Sequence, residues 1–165
     1  MSSEKRVFHE FPPLYDESSK VLILGSIPSP KSRALGFYYM HPQNRFWRML
    51  SEALGEELPA DIEGRKVLCK KHGIALWDVL QSCDIDGASD ASIKNAVPND
   101  LKQIFDTADI KAVFTTGKKA HSLYCRFFRD GFPSAICLPS TSPANRTISE
   151  AEMLKCYQTI AQYLK

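Results

Sequence analysis

The chain contains no apolar run of the roughly 20 residues needed to cross a bilayer, so no membrane span is expected. Residues 1–13 are polar, mixed in charge and interrupted by Pro12 and Pro13, which is unlike a secretory leader. A cytoplasmic protein is therefore expected, nucleoid-associated in a bacterium or nuclear in a eukaryote. The five cysteines, Cys69, Cys83, Cys125, Cys137 and Cys156, are odd in number and widely spaced, and no CxxC pair occurs. That spacing gives no disulfide framework, zinc site or iron–sulfur cluster, and the thiols are expected reduced, most of them packed as small hydrophobes. Charge of one sign is also lacking: 21 Lys and Arg stand against 19 Asp and Glu, a net of +2. This excludes binding to nucleic acid by bulk charge alone but is compatible with a local basic face. No glycine-rich GxxxxGK[ST] or GxGxxG phosphate loop is present.

What is there is the composition of a soluble globular domain, 44% hydrophobic and 24% charged, in 165 residues, a length that suits one domain. Short apolar runs at residues 21–24, 74–76, 112–115 and 135–138 read as buried strands. Between and after them, helical spacing marks residues 44–54, 61–72, 100–107, 118–129 and 149–164. Ser149 and Glu152 form a capping box for the last of these, and Asn44 and Asn99 occupy cap positions. Residues 26–43 and the Asp-, Ser- and Gly-rich residues 82–95 are expected to be loops. The alternation predicts a three-layer α/β/α fold around a central four-stranded parallel sheet. In such sheets ligands bind at the carboxyl ends of the strands.

Those ends carry the candidate chemistry. Gly25, Ser26, Ile27 and Pro28 follow the first strand, where loop amides can face a ligand, although an ordinary strand-to-loop turn explains them equally well. Residues 37–47 are densest. Phe46 and Trp47 suit a helix core, whereas Tyr39 could stack on a base and Asn44 could hydrogen-bond one, or cap the helix. Residues 139–146 offer Ser140, Ser142, Asn145 and Arg146, which can hold phosphates or simply form a proline-stiffened loop. Lys118 follows Gly117 at a helix start, a phosphate contact or a solvated lysine. Asp78, at a strand end, could act as a base or bond loop amides. Asp84, Asp86 and Asp90 lack the EF-hand pattern and are expected on a surface loop. Among the histidines, His9, His72 and His121 are expected to be solvated or on helix faces, leaving His41 in a candidate site.

In order, these segments resemble the uracil-DNA glycosylase superfamily: Gly-x-x-Pro at 25–28, His-Pro-x-Asn-Arg-Phe-Trp at 41–47, Gly-Lys-x-Ala at 117–120 and a Ser-rich loop at 140–146. The second motif is similar to that of the mismatch-specific uracil/thymine branch. That branch carries a catalytic Asn directly before the first-loop Pro, where this chain has Ile27. The Gly-Ser-apolar-Pro loop, the Tyr-Tyr pair before His-Pro, and Ala-Leu-Trp-Asp-Val-Leu at 75–80 resemble instead the hypoxanthine-DNA (deoxyinosine) glycosylases. The resemblance implies a monofunctional, monomeric enzyme without metal or cofactor. It would remove a deaminated base, hypoxanthine or else uracil, from DNA and leave an abasic site. It places catalysis on Asn44, as water-orienting group or as contact to the departing base. It places the base among Gly25, Ser26, Ile27, Pro28, Tyr39, His41 and Asp78. Lys118, Ser140, Ser142, Ala144, Asn145 and Arg146 would grip the duplex, with Ala144 near the position of the wedge. With the first-loop Asn absent, a non-catalytic lesion- or mismatch-binding module is the alternative. A hydrolase of free nucleosides is a third option.

Overall fold

In the computed structural model, residues 4–165 are described; residues 1–3 of the polar N-terminal stretch lie outside them. The elements, in chain order, are β1 (Glu4–Phe8), β2 (Val21–Gly25), α1 (Pro30–Leu35), α2 (Phe46–Ala53), α3 (Ile62–His72), β3 (Ile74–Asp78), β4 (Leu80–Asp86), β5 (Ser89–Pro98), α4 (Lys102–Thr107), β6 (Ala112–Thr116), α5 (Lys118–Phe127), β7 (Ala135–Leu138) and α6 (Glu150–Ala161). The main sheet has the order β3-β2-β6-β7 with every neighbour parallel, and helices flank it as expected. Val21, Leu22, Ile23 and Leu24 of central β2 are fully buried. Each such side chain contributes roughly 1.5–3 kcal/mol of transfer free energy. That is why a continuous apolar run, not an alternating one, marks a strand covered on both faces.

Local chemistry sets several boundaries. Asp61 accepts the Gly64 N–H at 2.7 Å to start α3, and Gly73, at φ +75°, ends it. Ser149 accepts the Glu152 N–H to start α6, the cap predicted from the Ser-x-x-Glu spacing. The strand β7 spans the predicted residues 135–138.

Four expectations are corrected. Residues 82–95 are not a loop: they form most of a β4–β5 hairpin that pairs with β1 in a second, antiparallel sheet of order β1-β4-β5. Its inner face is supplied by Val7, Cys83, Ile85 and Ile93, all buried, while the Asp and Ser residues that suggested a loop fill mainly the outer face. The turn is the two-residue Gly87–Ala88, with Gly87 at φ +58°. Residues 26–43 are broken by α1, which Ser29 caps and Pro30 opens. Neither Asn occupies the cap position itself, although the Asn44 side chain accepts the first N–H of α2. Asn44 precedes the α2 boundary, and Asn99 is buried two residues before Leu101, donating from Nδ2 to the carbonyls of Asp78 and Leu80 at 2.9 and 3.0 Å. The thiols are all free, but only Cys69 and Cys83 are buried, whereas Cys125 and Cys137 are exposed.

Asn99 thus bridges the end of the main sheet to the start of the second. Asn99→Ala should strand the two carbonyls that it serves and lower stability by about 1–3 kcal/mol. Urea denaturation checks this, and an unchanged midpoint would show that the bridge is not needed.

Candidate active site

The strand β2 ends at Gly25, opposite Asp78 of β3. A Cβ at Gly25 would stand 2.4 Å from Asp78 Oδ1 and 3.3 Å from the Tyr39 hydroxyl, so only glycine lets these two groups converge. The following loop is tied down by its carbonyls: Val79 N–H donates to Gly25 O at 2.8 Å and Leu80 N–H to Ser26 O at 3.0 Å. Ile27 is nearly buried and gives the pocket an apolar surface where an amide side chain was absent in the sequence.

The second segment brings Tyr39, His41 and Asn44 to the same place. Tyr39 sits at φ +56°, a conformation uncommon for a bulky residue. Its ring is stacked on Phe46, centroids 3.8 Å apart, and its hydroxyl shares a 3.0 Å bond with Thr116 at the end of β6. Burial, reinforced by the nearby Asp78, pushes the phenol pKa well above its usual value against the pull of the Thr116 bond, so the hydroxyl stays neutral. Asn44 Oδ1 accepts the Phe46 N–H at 2.9 Å. The group left without a protein partner among the described residues is Nδ2, which makes Asn44 a donor toward the pocket. His41 is exposed at the rim, its Nδ1 accepting the Gln43 N–H.

The third segment is fastened to the second by Arg45. The Arg45 Nη2 donates to the carbonyls of Ser142 and Asn145 at 3.0 and 2.7 Å, and its backbone N–H donates to Thr141 O at 3.1 Å. Inside the loop, Asn145 Nδ2 donates to Ser140 O, Asn145 Oδ1 accepts from Thr147, Ser140 Oγ accepts the Ser142 N–H, and Ser142 Oγ accepts the Ala144 N–H. Asn145 is therefore occupied in shaping the loop, while Ala144 and Arg146 are exposed on it. Gly117, at φ +98°, lies against Ser140, where a Cβ would approach to 3.2 Å.

Together the three segments line one cavity of about 310 Å³, at the small end of the range for ligand pockets. Gly25, Ser26, Ile27, Pro28, Tyr39, His41, Asn44, Asp78, Ser140, Ser142 and Ala144 all face it. Beside it runs a groove lined by Arg45, Arg48, Arg65 and Arg146 with one acid, Glu150, which pairs with Arg48. A nearly neutral chain thus has a basic stripe next to its pocket. Asn145 also lines that groove; Lys118 is exposed at the start of α5 and lines neither cavity nor groove.

Two further residues, and the Thr116 already placed, escaped the sequence expectations. The His9 side chain is not solvated: it is 1% exposed, sits against Phe11, Tyr38 and Trp77, and its Nε2 lies 2.7 Å from Asp78 Oδ2. The imidazole holds one oxygen of Asp78 and leaves Oδ1 at the pocket. Asp90 is not on a remote surface loop: the hairpin sets it at the pocket rim, where Ser26 Oγ donates to its Oδ1 at 2.9 Å. An Asp-Gly turn between alternating apolar residues was the one local signal for the hairpin. No local signal marked His9.

A sequence model of the uracil DNA glycosylase superfamily matches residues 12–165. The chain is 37% identical over 138 residues to a hypoxanthine DNA glycosylase of Methanosarcina barkeri, covering 82% of this chain and 87% of that protein. It is 34% identical over 142 residues to a hypoxanthine DNA glycosylase of Methanosarcina acetivorans, covering 85% and 89%. A solution NMR structure from Methanosarcina acetivorans, provisionally named a uracil DNA glycosylase, superposes with a TM-score of 0.80 at 31% identity over 93% of this chain and 96% of that one.

Arg45→Ala should leave the sheet intact and release the 139–146 loop, because two charge-assisted bonds disappear from one side. Hydrogen exchange measured by mass spectrometry should show faster exchange confined to residues 139–147. Unchanged protection there would mean that the loop holds its shape by its internal bonds alone.

Proposed function

This chain belongs to the uracil DNA glycosylase superfamily, and from that premise we propose that it is a monofunctional DNA glycosylase. It hydrolyses the N-glycosidic bond of a deaminated base, hypoxanthine first, flipped out of DNA, and leaves an abasic site. The observation that carries this is the single pocket in which Asn44, Tyr39 and Asp78 meet beside an arginine-lined groove. The names of the two Methanosarcina relatives favour hypoxanthine over uracil.

The chemistry follows from the side chains. The phosphate backbone lies along the arginine groove, and Ala144 on the stiffened loop meets the duplex. Extruding a base costs a few kcal/mol, least for a mispaired one, which itself favours lesions. The Tyr39 ring, with Phe46 behind it, is a platform for the extruded base, and such stacking is worth about 1–3 kcal/mol. Asp78 Oδ1 accepts the lactam N–H that deamination creates, N1–H in hypoxanthine or N3–H in uracil. Adenine and cytosine present a ring lone pair there, which would leave a buried acceptor facing an acceptor. As the bond to C1′ lengthens, the sugar gains oxocarbenium character and the base gains electrons. Asn44, with Oδ1 already engaged, points Nδ2–H at that growing charge. Asn44 thus serves as the contact to the departing base, not as the group that orients water. No lysine lines the cavity among the described residues, in keeping with hydrolysis and not a Schiff-base lyase step. The protein is further proposed to act as a monomer in the cytoplasm, nucleoid-associated in a bacterium or nuclear in a eukaryote.

The test is a panel of duplexes carrying one deoxyinosine, deoxyuridine or deoxyxanthosine each, under single-turnover conditions. Hypoxanthine release is expected to be fastest, and Asn44→Ala to slow it by about 100- to 1,000-fold while remaining folded. Protein that binds the lesion duplexes selectively yet releases no base from any of them would be a lesion-binding module, and the enzyme proposal would fall.

A further inference from the structure

Asp90 is the feature that the mechanism above leaves unused. Among the described residues the cavity is lined by two carboxyl groups, at different depths. Asp78 is 4% exposed, at the floor, with one oxygen held by His9. Asp90 belongs to an exposed residue at the rim, but its carboxyl turns into the cavity beside Ile85 and Ala88. Ser26 Oγ–H donates to Asp90 Oδ1, so Oδ1 is the acceptor oxygen and Oδ2 is left for a proton. The groups that face it are Ser26 of the first loop, Asp78 of β3, Lys119 of α5 and the Cys83 thiol of β4. Desolvation comes first among these influences and Asp78 adds to it. They outweigh the Ser26 bond and Lys119, and the carboxyl pKa is raised.

If the Watson–Crick edge of a flipped hypoxanthine reaches Asp78 at the floor, its imidazole ring and glycosidic bond lie toward the rim, at the level of Asp90. The most basic ring atom of a 6-oxopurine nucleoside is N7. We propose that Asp90 is a general acid for purine release, donating its Oδ2 proton to N7 of the flipped base. This rests on the glycosylase function proposed above and adds the class of base: a 6-oxopurine, since a pyrimidine has no such nitrogen.

In the step, the C1′–N9 bond breaks and its electron pair passes to the purine, while the Asp90 proton bonds to N7. Hypoxanthine leaves as a neutral tautomer and not as an anion. The oxygen of a water molecule bonds to C1′, and the proton that the water loses restores the Asp90 carboxyl. Asn44 donates a hydrogen bond to the same leaving group, so the two residues act together and their losses should not add.

The experiment compares wild type with Asp90→Asn and Asp90→Ala on a deoxyinosine duplex, and adds a 7-deaza-deoxyinosine duplex for the wild type. Asn fills the same space and can donate a hydrogen bond but cannot transfer a proton. Single-turnover release of hypoxanthine should fall about 100-fold or more in both variants, the scale of general acid catalysis. Wild-type release should decline as pH rises through the raised Asp90 pKa, because only the protonated acid is competent, and that limb should vanish in Asp90→Asn. The 7-deaza duplex should bind like deoxyinosine and be cleaved at least about 100-fold more slowly by wild type. Asp90→Asn activity within threefold of wild type, the same alkaline decline in the variant, or equal cleavage of the 7-deaza duplex would each overturn the proposal while leaving the glycosylase function standing. A wild type that releases no base from any lesion duplex would overturn that function, and this inference with it.

Discussion

The Arg45 guanidinium donates from one nitrogen to two carbonyls of the 139–146 loop, and the rest of the pocket depends on this bracket. Arg45 is the residue between Asn44 and the first turn of α2, so its backbone is tied to that helix while its side chain is held by the two carbonyls. Reaching across about 100 residues of sequence, it sets the 139–146 loop at a fixed distance from the Asn44 amide. Hydrogen bonds from a charged donor contribute about 1.5–3 kcal/mol each, enough to order a loop though not to fold a domain. The glycine at 117 completes the arrangement by letting Ser140 close on the end of β6.

Within that frame the pocket sorts donors from acceptors. Asp78 is restrained by His9 and pressed against the bare Cα of Gly25, so its carboxyl has one orientation to offer. Asn44 has its oxygen spent on the backbone and its nitrogen free. Tyr39 is clamped between Phe46 and Thr116, and its hydroxyl is kept neutral by burial. In the proposed mechanism such groups would need no reorganisation when charge moves from sugar to base, and this preorganisation is the usual source of electrostatic catalysis. Positive charge is kept apart from the pocket, in the arginines of the neighbouring groove, so a chain with a net charge of only +2 still carries the local basic face that the proposed function needs for phosphates.

The parts of this arrangement that were legible in the sequence are those whose cause is local. The apolar runs of β2, β6 and β7 declare buried strands, and Ser149 with Glu152 declares the start of α6. Gly25 to Pro28, His41 to Asn44 and Ser140 to Arg146 could be named because each follows a strand or opens a helix. The second sheet was hidden because it depends on pairings such as Arg6 with Asp84, far apart in the chain, and because its outer face carries the Asp and Ser residues of a loop. His9 and Asp90 were lost for the same reason, since the second sheet brings both into place: β1 leads His9 in behind Asp78, and the hairpin, whose one local signal was its Asp-Gly turn, sets Asp90 at the pocket rim. Arg45 lay in plain view inside the strongest motif, but its partners are backbone carbonyls, which leave no trace in side-chain pattern.

The central claim is that one pocket, built from three strand-end segments, receives a base extruded from DNA. A crystal structure with a duplex containing 2′-fluoro-2′-deoxyinosine tests it most directly, since the fluorine disfavours the oxocarbenium ion and preserves the glycosidic bond. The account predicts the base outside the helix, its ring on Tyr39, its N1–H at Asp78 Oδ1, and the backbone along Arg48, Arg65 and Arg146. A base still stacked in the duplex, or extruded to a surface away from Tyr39 and Asn44, would contradict it.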